Sequence, residues 1–503
     1  MEEPTGVHAS HGSEGGTAMT GPFFLGIDIG TQGARVVLLD VAGEIMAKAE
    51  EGFGLNEASR EEQSPHHWWK SCSHSIRQIT SEIKGRIPVD AILAVAVTST
   101  SGTVIPLDEQ HQPLHKAIMY SDQRSVLQAK RCMASASKHH PNGYTGFNTS
   151  SGLSKMVWYQ DSFPQQAERI GLWCHATDYI TGLLSGVWGV TDYTNALKSG
   201  YDVERKLWPA YLFKVLPLKK KQLPQVLPSG TVIGKIHPKT ASALGLSPQT
   251  KVAVGITDGC ASQIAAGAIR LGDWNTTIGT TLVVKGVTKN QIVDPLGRIY
   301  SHRHPMGYWM PGGAGNIGAD WVSQEFTGPL DQWNQKAATL IPSPYISYPL
   351  RQKGERFPFI SPDAEGFEPS GLSLEERYTA NMEGVALVEK YAYDMIKKLS
   401  GEEVSAIYTA GGASHSNIWL KIRSNVLNLP IHRMKHTSGA VGAAILAASQ
   451  VYFRDLEEAG GAMTKVDTTV YPDPGLRQAY EEKYLAFLEI MTAKKIIPGG
   501  ADA

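Results

Sequence analysis

The patterned part of the chain opens on the apolar run Phe23-Phe24-Leu25-Gly26-Ile27-Asp28, and the glycine turn Ile29-Gly30-Thr31-Gln32-Gly33 follows it. Residues 34–39 are apolar again, and Asp40-Val41-Ala42-Gly43 makes a second turn. This pattern predicts two strands joined by a glycine turn. Residues 91–98 (AILAVAVT) form a continuous apolar, β-branched run, as expected of a strand covered on both faces. Helical spacing precedes it over 65–84 and recurs over 175–185, 381–399, 419–426 and 438–450, with a terminal amphipathic helix over 472–495. Residues 251–256 (KVAVGI) read as a strand ending at Thr257-Asp258, and a small-residue helix continues over 259–269. Residues 274–287 read as strand, turn and strand, and 406–410 as a strand running into Gly411-Gly412-Ala413. Residues 226–238 are rich in Pro and Gly and read as a connector, and Lys219-Lys220-Lys221 as a solvated face.

Strands alternating with helices predict an α/β architecture. A weak internal echo adds to this. Asp28-Ile29-Gly30-Thr31 and Thr277-Ile278-Gly279-Thr280 both set Gly-Thr between two β runs, about 250 residues apart, which suits two related halves. The expected division is a leader (1–22), a first lobe (23–264), a second lobe (265–455) and a C-terminal tail with its helix (456–503), ligands lying in the cleft between the lobes.

Composition narrows the function. The chain has 503 residues, 42% of them hydrophobic, which is ample for sizeable cores. Lys+Arg 47 against Asp+Glu 48 leaves a formal charge of −1, so nothing points to nucleic acid or an anionic membrane as a partner. Cys72, Cys132, Cys174 and Cys260 are widely spaced and fit neither a zinc ribbon nor a disulfide framework. No run of 18 apolar residues occurs, and residues 1–20 fit neither a secretory signal nor an Arg-rich transit peptide. They read as a disordered leader, with Met19 a candidate start, and the expected compartment is the cytoplasm. A homodimer stays open.

No GxxxxGK[ST], HExxH or GxSxG is present. Gly313-Ala314-Gly315-Asn316-Ile317-Gly318 matches GxGxxG but follows Trp309-Met310-Pro311 rather than a long strand, which argues against a dinucleotide site. His302 and His304 fit a structural turn better than metal ligation. The turn at 28–33 offers more. Its glycines let backbone N–H groups approach phosphate oxygens, Thr31 and Gln32 add donors, and Asp28 at the strand end could hold Mg²⁺. An ordinary hairpin with a turn Asp is the competing reading. The second turn, Gly279-Thr280-Thr281, favours two phosphate-cradling hairpins across a cleft, and Gly411-Gly412-Ala413 could admit an adenosine against bare backbone. Asp258, where a strand gives way to small residues, suits a general base for phosphoryl transfer to an alcohol and equally a helix N-cap.

Taken in order, these segments resemble the FGGY family of carbohydrate kinases over roughly residues 24–446. Residues 25–39 (LGIDIGTQGARVVLL) are similar to its first phosphate motif. Glu62-Gln63-Ser64-Pro65 with Trp68, Asp122-Gln123-Arg124 and Lys155-Met156-Val157-Trp158 resemble further blocks, with Gly152 replacing the usual Pro, Ser or Thr. Gly255-Ile256-Thr257-Asp258-Gly259 resembles the catalytic segment, residues 275–281 (NTTIGTT) the second phosphate motif, Glu383-Gly384-Val385-Ala386 the second signature and residues 411–419 (GGASHSNIW) the adenosine motif.

The resemblance implies two actin-like (RNase H-like) lobes closing over a sugar and ATP with Mg²⁺. It implies Asp258 as the base, Asp28 supporting the metal, and Thr31, Gln32, Gly33, Gly279, Thr280 and Thr281 cradling phosphates, with Gly411, Gly412, Ala413 and Asn417 at the nucleotide. Residues 192–202 (DYTNALKSGYD), Tyr300-Ser301-His302-Arg303, Tyr348-Pro349-Leu350 and Gly354-Glu355-Arg356-Phe357-Pro358 resemble the D-ribulose kinase group of cyanobacteria and plants. On that resemblance Ser101 and Thr100 bind the sugar, beside Asp258. The chain departs from the group at Ser99, where the group has Gly, near Thr98, where it has Asp, and in keeping the Asp122-x-Arg124 turn. The expected reaction is D-ribulose to D-ribulose 5-phosphate, with D-xylulose or another polyol or ketose as the alternative acceptor. The alternative class is an actin-like nucleotide switch without sugar turnover.

Overall fold

The computed structural model describes residues 21–498. The expected leader therefore lies, over residues 1–20, outside the described residues. Two seven-stranded mixed sheets organise the chain. The first runs in the order Val232–Lys235, Lys251–Ala253, Ile92–Ser99, Phe23–Ile29, Gly33–Asp40, Ile45–Gly52, with Ile256–Thr257 also paired to Ile92–Ser99. The second runs Tyr300–Arg303, Trp309–Ala314, Leu282–Gly286, Trp274–Ile278, Ile407–Ala410, Ile431–Met434, Val466–Val470. Each sheet contains an antiparallel hairpin whose first strand also pairs in parallel with a later strand. The two Gly-Thr turns close these two hairpins, so the echo in the sequence corresponds to equivalent places in two similar sheets.

Several elements differ from the sequence expectation for identifiable reasons. The 226–238 connector holds two short strands, Gln225–Leu227 and Val232–Lys235. The second is the edge of the first sheet and alternates only weakly, because one side of an edge strand faces solvent. The run at 251–256 is broken into Lys251–Ala253 and Ile256–Thr257. Between them the backbone closes on the central strand, where a Cβ on Gly255 would stand 2.0 Å from the Val97 carbonyl.

The long helix is Leu374–Ser400, starting earlier than its apolar pattern suggests. Ser373 and Glu376 form a reciprocal capping box at its start, and Gly401 ends it in the left-handed region. Ser373→Ala is expected to lower the stability of the whole protein by about 1 kcal/mol, read from the urea midpoint. The terminal helix Arg477–Ala493 buries Tyr480, Tyr484, Phe487 and Met491 along one stripe. Lys483, also buried, reaches Glu383 at 2.5 Å and ties that helix to Leu374–Ser400. A fully buried Arg423–Glu389 fork at 2.7 and 2.8 Å fixes Asn417–Leu427 on the same long helix.

Two helices join the halves. Gly439–Val451, from late in the chain, lies on Phe23–Ile29 so closely that a Cβ on Gly26 would stand 1.9 Å from the Ala440 carbonyl. It crosses Asp258–Ala265 with equal intimacy, a Cβ on Gly442 falling 1.9 Å from the Ala261 carbonyl. Only glycine permits either approach. All four cysteines are buried and unpaired with one another. Among the described residues no helix is long and apolar enough to cross a membrane.

Candidate active site

Three parallel strands end side by side at one edge of the first sheet. Asp28 and Ile256 both pair with Thr98, and Thr257 pairs with Ser99. Asp28, the loop after Ser99 and Asp258 therefore gather where parallel strands of an α/β sheet terminate, the usual place for a ligand crevice. Asp28 is 7% exposed. Its Oδ1 has no hydrogen-bond partner, and Arg35 approaches its other oxygen at 3.8 Å. Burial, and then the charge of Asp258, push its carboxyl from 3.8 up to about 7. Gly439, the first residue of its helix, stands against it, and a Cβ there would be 3.2 Å from the carboxylate.

Asp258 opens the helix Asp258–Ala265, with Thr257 as the N-cap residue. Its own Oδ1 accepts the Gly259 N–H at 2.6 Å. Burial raises its pKa, and the amines of Lys285 and Lys198 oppose that rise. Helix N-termini favour negative charge, so both carboxylates stand where the backbone supports their ionised form once a ligand offsets desolvation.

The loop after Ser99 packs closely against the segment at Ser150. Gly102 has φ +86, and a Cβ there would stand 2.1 Å from the Ser150 carbonyl. Thr100 and Thr103 share a hydroxyl hydrogen bond at 2.9 Å, whereas the Ser101 Oγ is enclosed and has no partner. Thr31, Gln32 and Gly33 close the first hairpin. Gly33 is required there, since a Cβ would sit 2.6 Å from the Glu51 carbonyl. Gln63 braces the turn by donating Nε2 to the Thr31 carbonyl at 3.0 Å, and Trp68 holds Gln63 in turn at 2.8 Å. Thr31, Gln32, Arg35 and Tyr120 line an open cleft of 1140 Å³. Arg124 forks onto Asp122, reaches Glu62 at 2.8 Å and lies over the Trp158 ring at 4.3 Å. Lys155, fully buried, donates to the carbonyls of Thr149 and Tyr120, and burial lowers its pKa to about 7.

In the second sheet Thr277 pairs in parallel with Ala410. That register places Gly279-Thr280-Thr281 beside Gly411-Gly412-Ala413. Gly411 has φ +87, and a Cβ on it would stand 2.5 Å from the Ile278 carbonyl. Gly279 and Gly412 face open space. Thr280 is exposed and Ala413 is buried. Asn417 starts its own helix, exposed, with its Oδ1 accepting from Arg433 at 3.1 Å. The GxGxxG segment begins in an antiparallel strand, and the N–H groups of Asn316 and Ile317 already serve Glu355. They are not free to cradle a phosphate. His302 lies on a strand rather than in a turn, while His304 closes the turn to Tyr308.

The structure thus brings Asp28 to Asp258 and Gly279-Thr280-Thr281 to Gly411-Gly412-Ala413. It also adds residues that sequence reasoning did not single out: Arg35 at Asp28, and Lys285 and Lys198 at Asp258. Lys285 sits in Leu-Val-Val-Lys-Gly and reads as an ordinary solvent-facing strand lysine, so nothing local signals its position. Among the described residues no group of three or more His, Cys, Asp or Glu side chains is arranged to hold a metal ion. The orphaned Oδ1 of buried Asp28 does fit a cation that arrives with its other ligands already bound.

Two similar sheets, joined by crossed helices and each closed by a Gly-Thr hairpin turn, define a class. The chain belongs to the FGGY family of carbohydrate kinases: residues 23–265 match the family's N-terminal domain and residues 274–451 its C-terminal domain. It is a carbohydrate kinase with the two-lobed actin-like α/β fold. A gluconokinase of Bacillus licheniformis is 25% identical over 456 residues, spanning 84% of this chain and 86% of its own length. A xylulose kinase of Staphylococcus epidermidis is 24% identical over 501 residues, spanning 94% and 97%. The crystal structure of a ligand-bound xylulose kinase from Lactobacillus acidophilus superposes with a TM-score of 0.80 at 23% identity, covering 94% of this chain and 98% of that one.

Proposed function

We propose that this kinase transfers the γ-phosphoryl group of ATP to a hydroxyl of a pentulose, with D-ribulose as the acceptor. The observation that carries the reading is the pairing of a buried and a half-buried carboxylate, Asp28 and Asp258, at adjacent strand ends beside a loop whose Ser101 hydroxyl lacks a partner. Asp258 accepts the proton of the attacking hydroxyl, and burial gives it the basicity that task needs. Ser101 and Thr100 hydrogen-bond the acceptor and fix which hydroxyl meets Asp258. The turns 31–33 and 279–281 offer backbone and hydroxyl donors to the phosphates, and the 411–413 turn and Asn417 flank the nucleoside. Asp28 would hold Mg²⁺, which when bound spreads and neutralises phosphate charge. The lobes are assigned as 23–264 and 265–455, with 456–503 as a C-terminal tail and helix.

The test is ADP release with MgATP across D-ribulose, D-xylulose, L-ribulose, ribitol, gluconate and glycerol. A clear preference for D-ribulose is expected. Ser101→Ala should then raise the KM for that sugar about tenfold, the loss of one hydrogen bond to a bound polyol. A second reading, D-xylulose, is favoured by the xylulose kinase that aligns with 94% of the chain. Preference for D-xylulose would replace the acceptor and keep the mechanism. ATP binding without stimulation by any sugar would overturn the reading in favour of a nucleotide switch.

A further inference from the structure

The reaction so described draws its acceptor contacts from the first sheet, yet the second sheet presents an unused polar face to the same carboxylate. Tyr300, Gly312 and Lys285 are aligned across three neighbouring strands, so they share one face of the second sheet. His302, two residues beyond Tyr300, lies on that face too, its ring 5.3 Å from that of Tyr300. Gly312 leaves room for the Lys285 stem to lie across it, since a Cβ there would stand 3.1 Å from Lys285 Cγ. The Lys285 amine ends against Gly259, 2.4 Å from where a Cβ on that residue would be. Gly259 is the residue whose N–H holds the Asp258 carboxylate.

Two features of this face are unexplained by folding. Lys285 is half-buried, and none of the hydrogen bonds or ion pairs among the described residues includes it. His302 is 5% exposed, and its Nδ1 has no partner. Leaving a buried imidazole nitrogen unsatisfied is costly unless a ligand completes it. Burial and the nearby amines of Lys285 and Lys198 hold His302 well below its ordinary pKa, so the ring is neutral and one nitrogen can accept. Lys198 brings a further amine from the opposite side, over the Tyr300 ring at 5.4 Å.

We propose that Lys285 and His302 form a second wall of the acceptor site, supplied by the second sheet, which binds the oxygens of the acceptor on the side away from Ser101. Lys285 donates to a hydroxyl or carbonyl oxygen of the ketose, and His302 accepts from a hydroxyl. This rests on the reading of Asp258 as the base that faces the acceptor. It makes acceptor affinity depend on how the two sheets are held together, because the two walls belong to different sheets.

The experiment compares Lys285→Met, Lys285→Arg and His302→Phe with the unmodified enzyme. Its readouts are kcat and KM for the best sugar of the panel, ATP affinity by calorimetry and the melting temperature. Lys285→Met and His302→Phe should each raise the sugar KM at least tenfold, with ATP affinity changed less than twofold and melting retained. Lys285→Arg should recover most of the sugar affinity. Unchanged sugar KM in both variants would overturn the proposal, as would an equal loss of ATP and sugar affinity. Failure of the unmodified enzyme to phosphorylate any sugar would be a different result, striking at the reading of Asp258 rather than at these two residues. In that case sugar binding measured by calorimetry still decides the wall: no difference between the enzyme and Lys285→Met would overturn it.

Discussion

Asp258→Asn is expected to lower sugar-dependent turnover by roughly a thousandfold while leaving ATP affinity within twofold, because the amide keeps the shape and loses the base. The geometry makes this substitution informative. Asp258 sits at the first position of its helix and accepts its neighbour's N–H through Oδ1, a bond the amide oxygen can still accept. The backbone should therefore stay in place, and the change isolates proton acceptance. Steady-state ADP release and calorimetry with a non-hydrolysable nucleotide provide the comparison. Turnover within tenfold of the unmodified enzyme would remove Asp258 from the base role.

The second large effect concerns stability. In metal-free buffer at pH 8, Asp28→Asn should stabilise the fold, by about 4 kcal/mol at most. The folded carboxyl titrates at about 7 and the unfolded one near 3.8. Between those values the folded state holds the extra proton, so the ionisation of Asp28 destabilises the fold as pH rises through that window and levels off above it. The amide removes this dependence. Melting temperatures of the two proteins should converge towards pH 4, separate as pH rises to about 7 and then stay a constant distance apart, with the variant higher. The same variant should lose turnover with MgATP. A variant less stable than the parent at pH 8 would show that Asp28 is compensated by contacts other than Arg35.

Much of the fold is legible in the sequence because it rests on local patterns. The two hairpins announce themselves by apolar runs around Gly-Thr, and the helix Gly439–Val451 by its small residues. What escapes is information carried between distant segments. The edge strand Val232–Lys235 lacks a buried face to imprint alternation. The start of Leu374–Ser400 is set by a polar cap rather than by apolar spacing. The same division holds at the site. Asp28 and Asp258 stand at strand ends that the pattern reveals. Lys285 and His302 acquire their position only through the register of three strands in the other sheet. Glu62-Gln63-Ser64-Pro65 and Trp68 show why a block can accompany a glycine turn as its support, since Gln63 donates to the Thr31 carbonyl and Trp68 holds Gln63.

The crossing of Asp258–Ala265 with Gly439–Val451 has a mechanical corollary. The helices meet backbone to backbone at Gly442 and Ala261, and each begins beside one of the two carboxylates. Rotation of one sheet against the other about that point would give the aspartates a short lever arm and the glycine turns at the hairpin tips a long one. The cleft could then swing to admit and release its ligands while the distance between Asp28 and Asp258 changes least of all.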